Sequence, residues 1–194
     1  MPAASDYPIV LFADRTAFRR WLNAHHDAEP GLWLRIAKAA SPLESVTYAE
    51  ALDVALCFGW IDGQKQSYDA DSFLQKFTPR QKRSRWSKRN REHVERLLTA
   101  GEMHAAGTAA VDAAKADGRW DRAYDSPSTV TVPADLQAAL DAHPEAREFF
   151  ETLTGANRYA ILYRIQTAVK AETRARRIAT FIAMLQQRET LHPS

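Results

Sequence analysis

From Lys76 to Arg91 the chain holds eight basic residues, Lys76, Arg80, Lys82, Arg83, Arg85, Lys88, Arg89 and Arg91, and no acid. The formal net charge is only +2, so the remainder carries 18 basic residues against 24 acidic ones. Segregation of this kind is the clearest physical clue in the sequence. A helix is expected from Lys88, which puts Lys88, Arg89 and Arg91 in a first turn, where the macrodipole is positive and cations are mildly destabilising. With Arg80, Arg83 and Arg85 just upstream, a phosphate or carboxylate would relieve the repulsion. Trp86 lies inside the cluster and offers a ring face for stacking on a base or another planar group. The residues expected to bind an anion are therefore Arg80, Arg83, Arg85, Trp86, Lys88 and Arg89. The partner would be a phosphorylated small molecule, a nucleic acid or a phospholipid. The plainer alternative is a solvated basic loop followed by ordinary i,i+4 pairs, Arg91–Glu95 and Glu92–Arg96.

A second group of polar and aromatic residues, Tyr48, Glu50, Trp60 and Asp62, brackets a helix-to-strand corner. A carboxylate beside a tryptophan there can act as an acid or base if its pKa is raised, making Tyr48, Trp60 and Asp62 a candidate pocket. Each residue also has a structural explanation: Glu50 as a cap, Trp60 as core, and Asp62 before Gly63 as turn chemistry. The six histidines suggest no metal site. His25 and His26 are adjacent and cannot form an i,i+4 pair, and the rest are scattered. With one cysteine and no H-E-x-x-H, zinc has no support, and no metal or cofactor is expected. P-loop, G-x-G-x-x-G and G-x-S-x-G motifs are missing, so nucleotide-binding and hydrolase readings lose their usual basis.

The elements that would position these groups can be read from local signals. Asp14 caps a helix over Arg15 to His25 whose apolar stripe is Ala17, Phe18, Trp21 and Leu22. A strand over Leu32 to Lys38 alternates, with Leu32, Leu34 and Ile36 inward and Trp33 and Arg35 outward. Thr47 and Glu50 have the spacing of a capping box. They open a core helix that ends at Gly59 in the left-handed conformation. Trp60 to Tyr68 and Ser72 to Thr78 form a hairpin about Asp69-Ala70-Asp71, with Asp62-Gly63 as an alternative turn. Ser87 is the expected N-cap of the helix over Lys88 to Ala100, and an alanine-rich helix runs from about His104 to Asp117.

Residues 121–133 form an extended linker, and everything beyond is helical. Thr154 and Thr173 are positioned as caps of the last two helices, and Ile178, Phe181, Ile182 and Leu185 form an apolar stripe. Asn157, Arg158, Arg164, Arg174 and Arg177 either make a second anion-binding surface or, the favoured reading, fasten helix to helix by buried hydrogen bonds. The fold class is α+β. A small, mainly antiparallel sheet with helices fills residues 1–125, with the basic arm at 76–91, and a helical subdomain fills 126–194.

With 45% hydrophobic and 26% charged residues the chain is an ordinary globular protein. No run approaches the roughly 18 apolar residues of a membrane helix. The N-terminus has no basic region ahead of an apolar one, and Cys57, the single cysteine, cannot form an internal disulfide. The expected location is the cytoplasm.

Several stretches resemble the YdeI/OmpD-associated family, the bacteriocin-protection proteins. They are Gly31-Leu32-Trp33-Leu34, Val46-Thr47-Tyr48-Ala49-Glu50-Ala51, Gly59-Trp60-Ile61-Asp62-Gly63, Phe77-Thr78-Pro79-Arg80, Trp86-Ser87 with Asn90, Gly118-Arg119-Trp120, Asn157-Arg158-Tyr159, and Thr173-Arg174 followed by Arg177-Ile178. The resemblance implies a role in protection against antimicrobial peptides and an association with the cell envelope, and it brings no catalytic residues. Together with the charge pattern it favours a non-enzymatic binder of an anionic partner. Two other readings stay open: an enzyme or small-molecule binder using the Tyr48–Trp60–Asp62 corner, and an interaction module presenting its C-terminal helices to a protein.

Overall fold

The computed structural model describes residues 7–193. The chain divides into two compact units. The first runs to Asp121 apart from Ser87–Arg89, and the second comprises Ser87–Arg89 with Arg122 onward. The first unit contains β1 (Ile9–Val10), α1 (Arg15–His25), β2 (Leu32–Ala37), α2 (Tyr48–Cys57), β3 (Trp60–Ser67), β4 (Ser72–Pro79), most of α3 (Lys88–Thr99) and α4 (Ala105–Ala116). The second holds α5 (Ala134–Asp141), α6 (Pro144–Thr152), α7 (Gly155–Gln166) and α8 (Ala171–Gln186). The fold is α+β, as the sequence pattern implies.

The sheet has the order β1-β2-β4-β3. β1 runs parallel to β2, and the other two pairings are antiparallel, with Leu32 opposite Phe77 and Trp60 opposite Pro79. Asp69 builds the β3–β4 turn: its carboxylate accepts from the amides of Asp71 (3.0 Å) and Ser72 (2.7 Å). Asp62-Gly63 is not a turn. It lies in β3, and the register shifts between Asp62 and Lys65. Trp33, expected on the outer face of β2, is buried, and Lys76 directly opposite brings its ammonium 5.9 Å from the ring centroid.

The local signals explain the helix ends. Asp14 accepts from Ala17 N at 2.7 Å, and the Thr47–Glu50 capping box is complete. Thr47's hydrogen bonds hold the Glu50 carboxyl below its usual range. α2 is buried from Ala51 to Cys57 apart from Asp53, and it ends at Phe58 followed by Gly59 at φ 73°. Beyond this end, α4 comes very close. A Cβ on Gly107 would lie 2.1 Å from the carbonyl oxygen of Cys57, so only glycine fits there.

α3 is tied to α2 by Asp53. Its carboxylate accepts from His93 Nδ1 at 2.7 Å and from Arg96 at 2.6 Å. Arg96 is therefore engaged across the fold and not with Glu92, whereas the Arg91–Glu95 pair forms at 3.7 Å. Burial works against the Asp53 charge, but the bonds from Arg96 and His93 outweigh it and hold the carboxyl below its ordinary range.

In the second unit, Leu136, Leu140, Phe150, Ile161, Ile165, Ile182 and Leu185 form one apolar core. Arginines satisfy its helix ends, where the last carbonyls lack intrahelical donors. Arg158 donates to Glu151 O at 3.0 Å near the end of α6, Arg174 donates to Ile165 O at 2.9 Å near the end of α7, and Arg177 donates to Arg164 O. The polar residues of these helices thus fasten helix to helix. Thr154 caps α7, but Thr173 caps nothing: α8 begins at Ala171 after Lys170, which makes no side-chain cap bond.

Gly107→Ala should lower the denaturant midpoint, because overpacking of about 1–3 kcal/mol against a rigid carbonyl exceeds the roughly 1 kcal/mol gained in helix propensity. Asp53 gives a pH prediction. Its folded pKa lies below the ordinary value of 3.8, so its contribution is present above that value and is lost as pH falls through the folded one. Asp53→Asn should lower the melting temperature at neutral pH and flatten its decline below about pH 4.

Candidate functional site

β4 leads straight into the basic loop, whose backbone is bonded on all sides. Arg80 N donates to Gly59 O at 2.9 Å, anchoring the loop to the end of α2. Ser84 N donates to Gln81 O at 2.8 Å, and Gln81 N donates to Ser84 Oγ at 3.0 Å, closing a turn with Lys82 and Arg83 at its centre. Arg80 Nη1 donates to Arg85 O at 3.1 Å, and Arg119 Nη1 donates to Ser84 O at 2.9 Å. Arg119 is itself paired with Asp117 at 2.7 Å. Lys82, Arg83 and Arg85 are exposed. The loop is a fixed backbone carrying three exposed basic residues.

Trp86 is not a stacking platform. It is only 2% exposed, its ring is covered by the Arg80 guanidinium at 3.5 Å, and Trp120 meets it edge-on at 4.9 Å. Arg91 and Lys115 lie 5.1 and 5.5 Å from the Trp120 centroid, and Arg91 also donates to Trp120 O at 3.0 Å. Three cations therefore engage two buried indoles, a favourable arrangement because the ring faces carry negative potential. Lys76 is used in the same way, 4.2 Å from the Tyr7 ring. In the second unit, Lys88 pairs with Asp125 at 2.7 Å, while Arg89 is exposed. Burial opposes the Asp125 charge, yet the bonds from Lys88 and Gln166 keep its carboxyl below the usual range. The eight basic residues thus separate into those that build the fold and those presented to solvent, a division that spacing does not reveal.

At the helix-to-strand corner, Tyr48 Oη donates to the Asp62 carboxylate at 2.8 Å. Trp60 belongs to the core: it is 1% exposed, donates its indole N–H to His26 O at 3.0 Å and meets Trp21 edge-on. Tyr48 and Asp62 come together as expected, but Trp60 cannot line a pocket with them because its ring is enclosed.

Sequence reasoning missed the Asp53–His93–Arg96 cluster, whose members lie 40 and 43 positions apart in the chain. It also missed the group in which His104 stacks on Phe58 and meets His26 edge-on, each at 4.8 Å. His104 caps α4 by accepting from Ala106 N, so this ring has a structural use. Among the described residues no group of three or more His, Cys, Asp or Glu side chains is placed to hold a metal ion. Nor is any helix among them long and apolar enough to cross a membrane.

Residues 10–110 match the model of a domain of unknown function (DUF8412), which takes in α1 to α3 whole. Residues 129–188 match the model described as "Bacteriocin-protection, YdeI or OmpD-Associated", which takes in α5 to α8. No curated protein and no solved structure matches the chain. The chain therefore belongs to the family of that domain of unknown function, whose model spans about half of it, and its helical unit is similar to the YdeI/OmpD-associated proteins.

Proposed function

We propose that this protein is a non-enzymatic, cytoplasmic binder of an anionic partner, and that the loop following β4 supplies the contact. One observation carries the reading: the loop backbone is fastened by Arg80, Ser84 and Arg119, which leaves Lys82, Arg83 and Arg85 pointing a concentrated positive charge at solvent. No acid lies between Lys76 and Arg91 in the sequence. A fixed backbone with long cationic side chains suits an extended polyanion or phosphorylated surface, which is met by charge density and not by directional hydrogen bonds. The likeness of the helical unit to bacteriocin-protection proteins supports setting this binding in protection against bacteriocins. The Tyr48–Asp62 corner offers no comparable support for catalysis, because the carboxylate is already bonded to its tyrosine.

The test is binding to a single-stranded oligonucleotide and to phosphatidylglycerol vesicles across a salt series. Log affinity for the oligonucleotide should fall linearly with log salt, and each lost contact should reduce the slope by about 0.7. Replacing Lys82, Arg83 and Arg85 together by glutamine should weaken binding to either probe and shift the melting temperature by no more than a few degrees, since substitutions at exposed positions each change stability by about 0.5 kcal/mol or less. A triple variant that binds both probes as well as the parent excludes the loop as the contact.

A further inference from the structure

The helical unit contains a cleft of about 570 Å³ along one face of α7, within the usual size range of small-molecule sites. We propose that this cleft binds a planar aromatic anion.

The wall is formed by Tyr159 and Tyr163, one turn apart on α7, with ring centroids 5.9 Å apart. Both rings are held in place. Tyr163 meets Tyr124 edge-on at 4.9 Å, and Tyr159 donates its hydroxyl to Asp125 O at 3.1 Å. Burial pushes the Tyr159 phenol up to about 12, so that ring stays uncharged. Fixed, neutral aromatic surfaces favour a flat ring as occupant.

The start of α7 leaves the space open. Gly155 and Ala156 line the cleft one turn before Tyr159 and Ala160. A Cβ at Gly155 would meet nothing within 4 Å, and its φ is not positive, so neither packing nor backbone conformation requires glycine there. His192 closes another side, and its position is fixed. Asn157, 2% exposed, accepts from His192 N at 2.9 Å and donates to His192 O at 3.1 Å.

Charge selects the class of ligand. Among the described residues the lining includes Arg164 and His192 and no carboxylate. Arg164 is exposed and uses Nη1 on the Ala160 carbonyl at 3.0 Å, and a guanidinium carries five N–H donors in all. An anionic group attached to the stacked ring would meet that guanidinium, a charge-assisted contact stronger than a neutral one.

The experiment is an amide NMR titration of the full chain with adenosine monophosphate and, separately, indole-3-acetate. Adenosine, indole and inorganic phosphate serve as half-ligands. Saturable shifts of the Gly155 and Ala156 amides by either charged probe are expected, and the tighter one tells a nucleotide from an aromatic carboxylate. Gly155→Glu puts a carboxylate into the cleft at a helix position that favours acids, so the fold should hold while binding weakens by about tenfold or more. Arg164→Gln should weaken the charged probe by a similar factor and leave its uncharged half-ligand unaffected. The glutamine triple variant of the basic loop should bind both charged probes like the parent, which separates this proposal from the loop reading. It is overturned if neither charged probe shifts those amides, if inorganic phosphate shifts them equally well, or if both cleft variants bind as the parent does.

Discussion

A buried helix end constrains the first unit more than any other feature. The last turn of a helix leaves carbonyls without intrahelical donors, and burying them unsatisfied costs about 1–3 kcal/mol each. α2 ends in the interior, with Leu56, Cys57 and Phe58 all buried. Cys57 O is met by His104 N at 3.0 Å, and Gly59 O by Arg80 N at 2.9 Å. The first bond draws the entry of α4 onto the end of α2, and Gly107 is what allows that approach. The second fixes the exit of β4, so the first residue of the basic loop is held by the same helix end. The corner and the loop are twenty positions apart in sequence and adjacent in their hydrogen bonding.

The arginines show how a charge census misleads. Arg19 donates to Glu102 O, Arg80 to Arg85 O, Arg91 to Trp120 O and Arg119 to Ser84 O; in the helical unit Arg158, Arg174 and Arg177 do the same to helix-end carbonyls. Backbone carbonyls need no counter-charge, so a fold built this way accumulates positive residues without any anionic ligand. The run of eight cations in 76–91 is partly such construction. What remains to argue for a ligand is the smaller set whose side chains reach solvent, headed by Lys82, Arg83 and Arg85.

Local chemistry was legible in the sequence, and partnership across the fold was not. Asp14, Thr47 with Glu50, Gly59, Thr154 and the Asp69 turn were readable because each acts within a few residues of itself. The β2 alternation and the hairpin were readable from period two. The parallel pairing of β1 was not, because two residues carry no periodic signal. Trp86 looked like a platform since its neighbours are charged, but a tryptophan among arginines can equally be covered by them, and the ring of Trp120, 34 positions later, settles which. Arg96 looked like a partner for Glu92 at the right spacing. Asp53, desolvated and already bonded to His93, offers a stronger counter-charge than an exposed glutamate on the same helix, and it wins.

Trp86 also bears on how the loop can act. Its indole N–H is buried with no acceptor among the described residues, a cost set against the cation–π contact of Arg80 3.5 Å away. Moving Arg80 would uncover the ring and break the bond to Arg85 O together, so the backbone from Arg80 to Trp86 has little freedom to adapt. Association then requires ordering only the outer side chains, about 0.5–1.5 kcal/mol for each one immobilised. A site with a rigid base and mobile cations gives up shape selectivity and keeps its response to charge. That combination fits recognition of an anionic surface better than recognition of one particular small molecule.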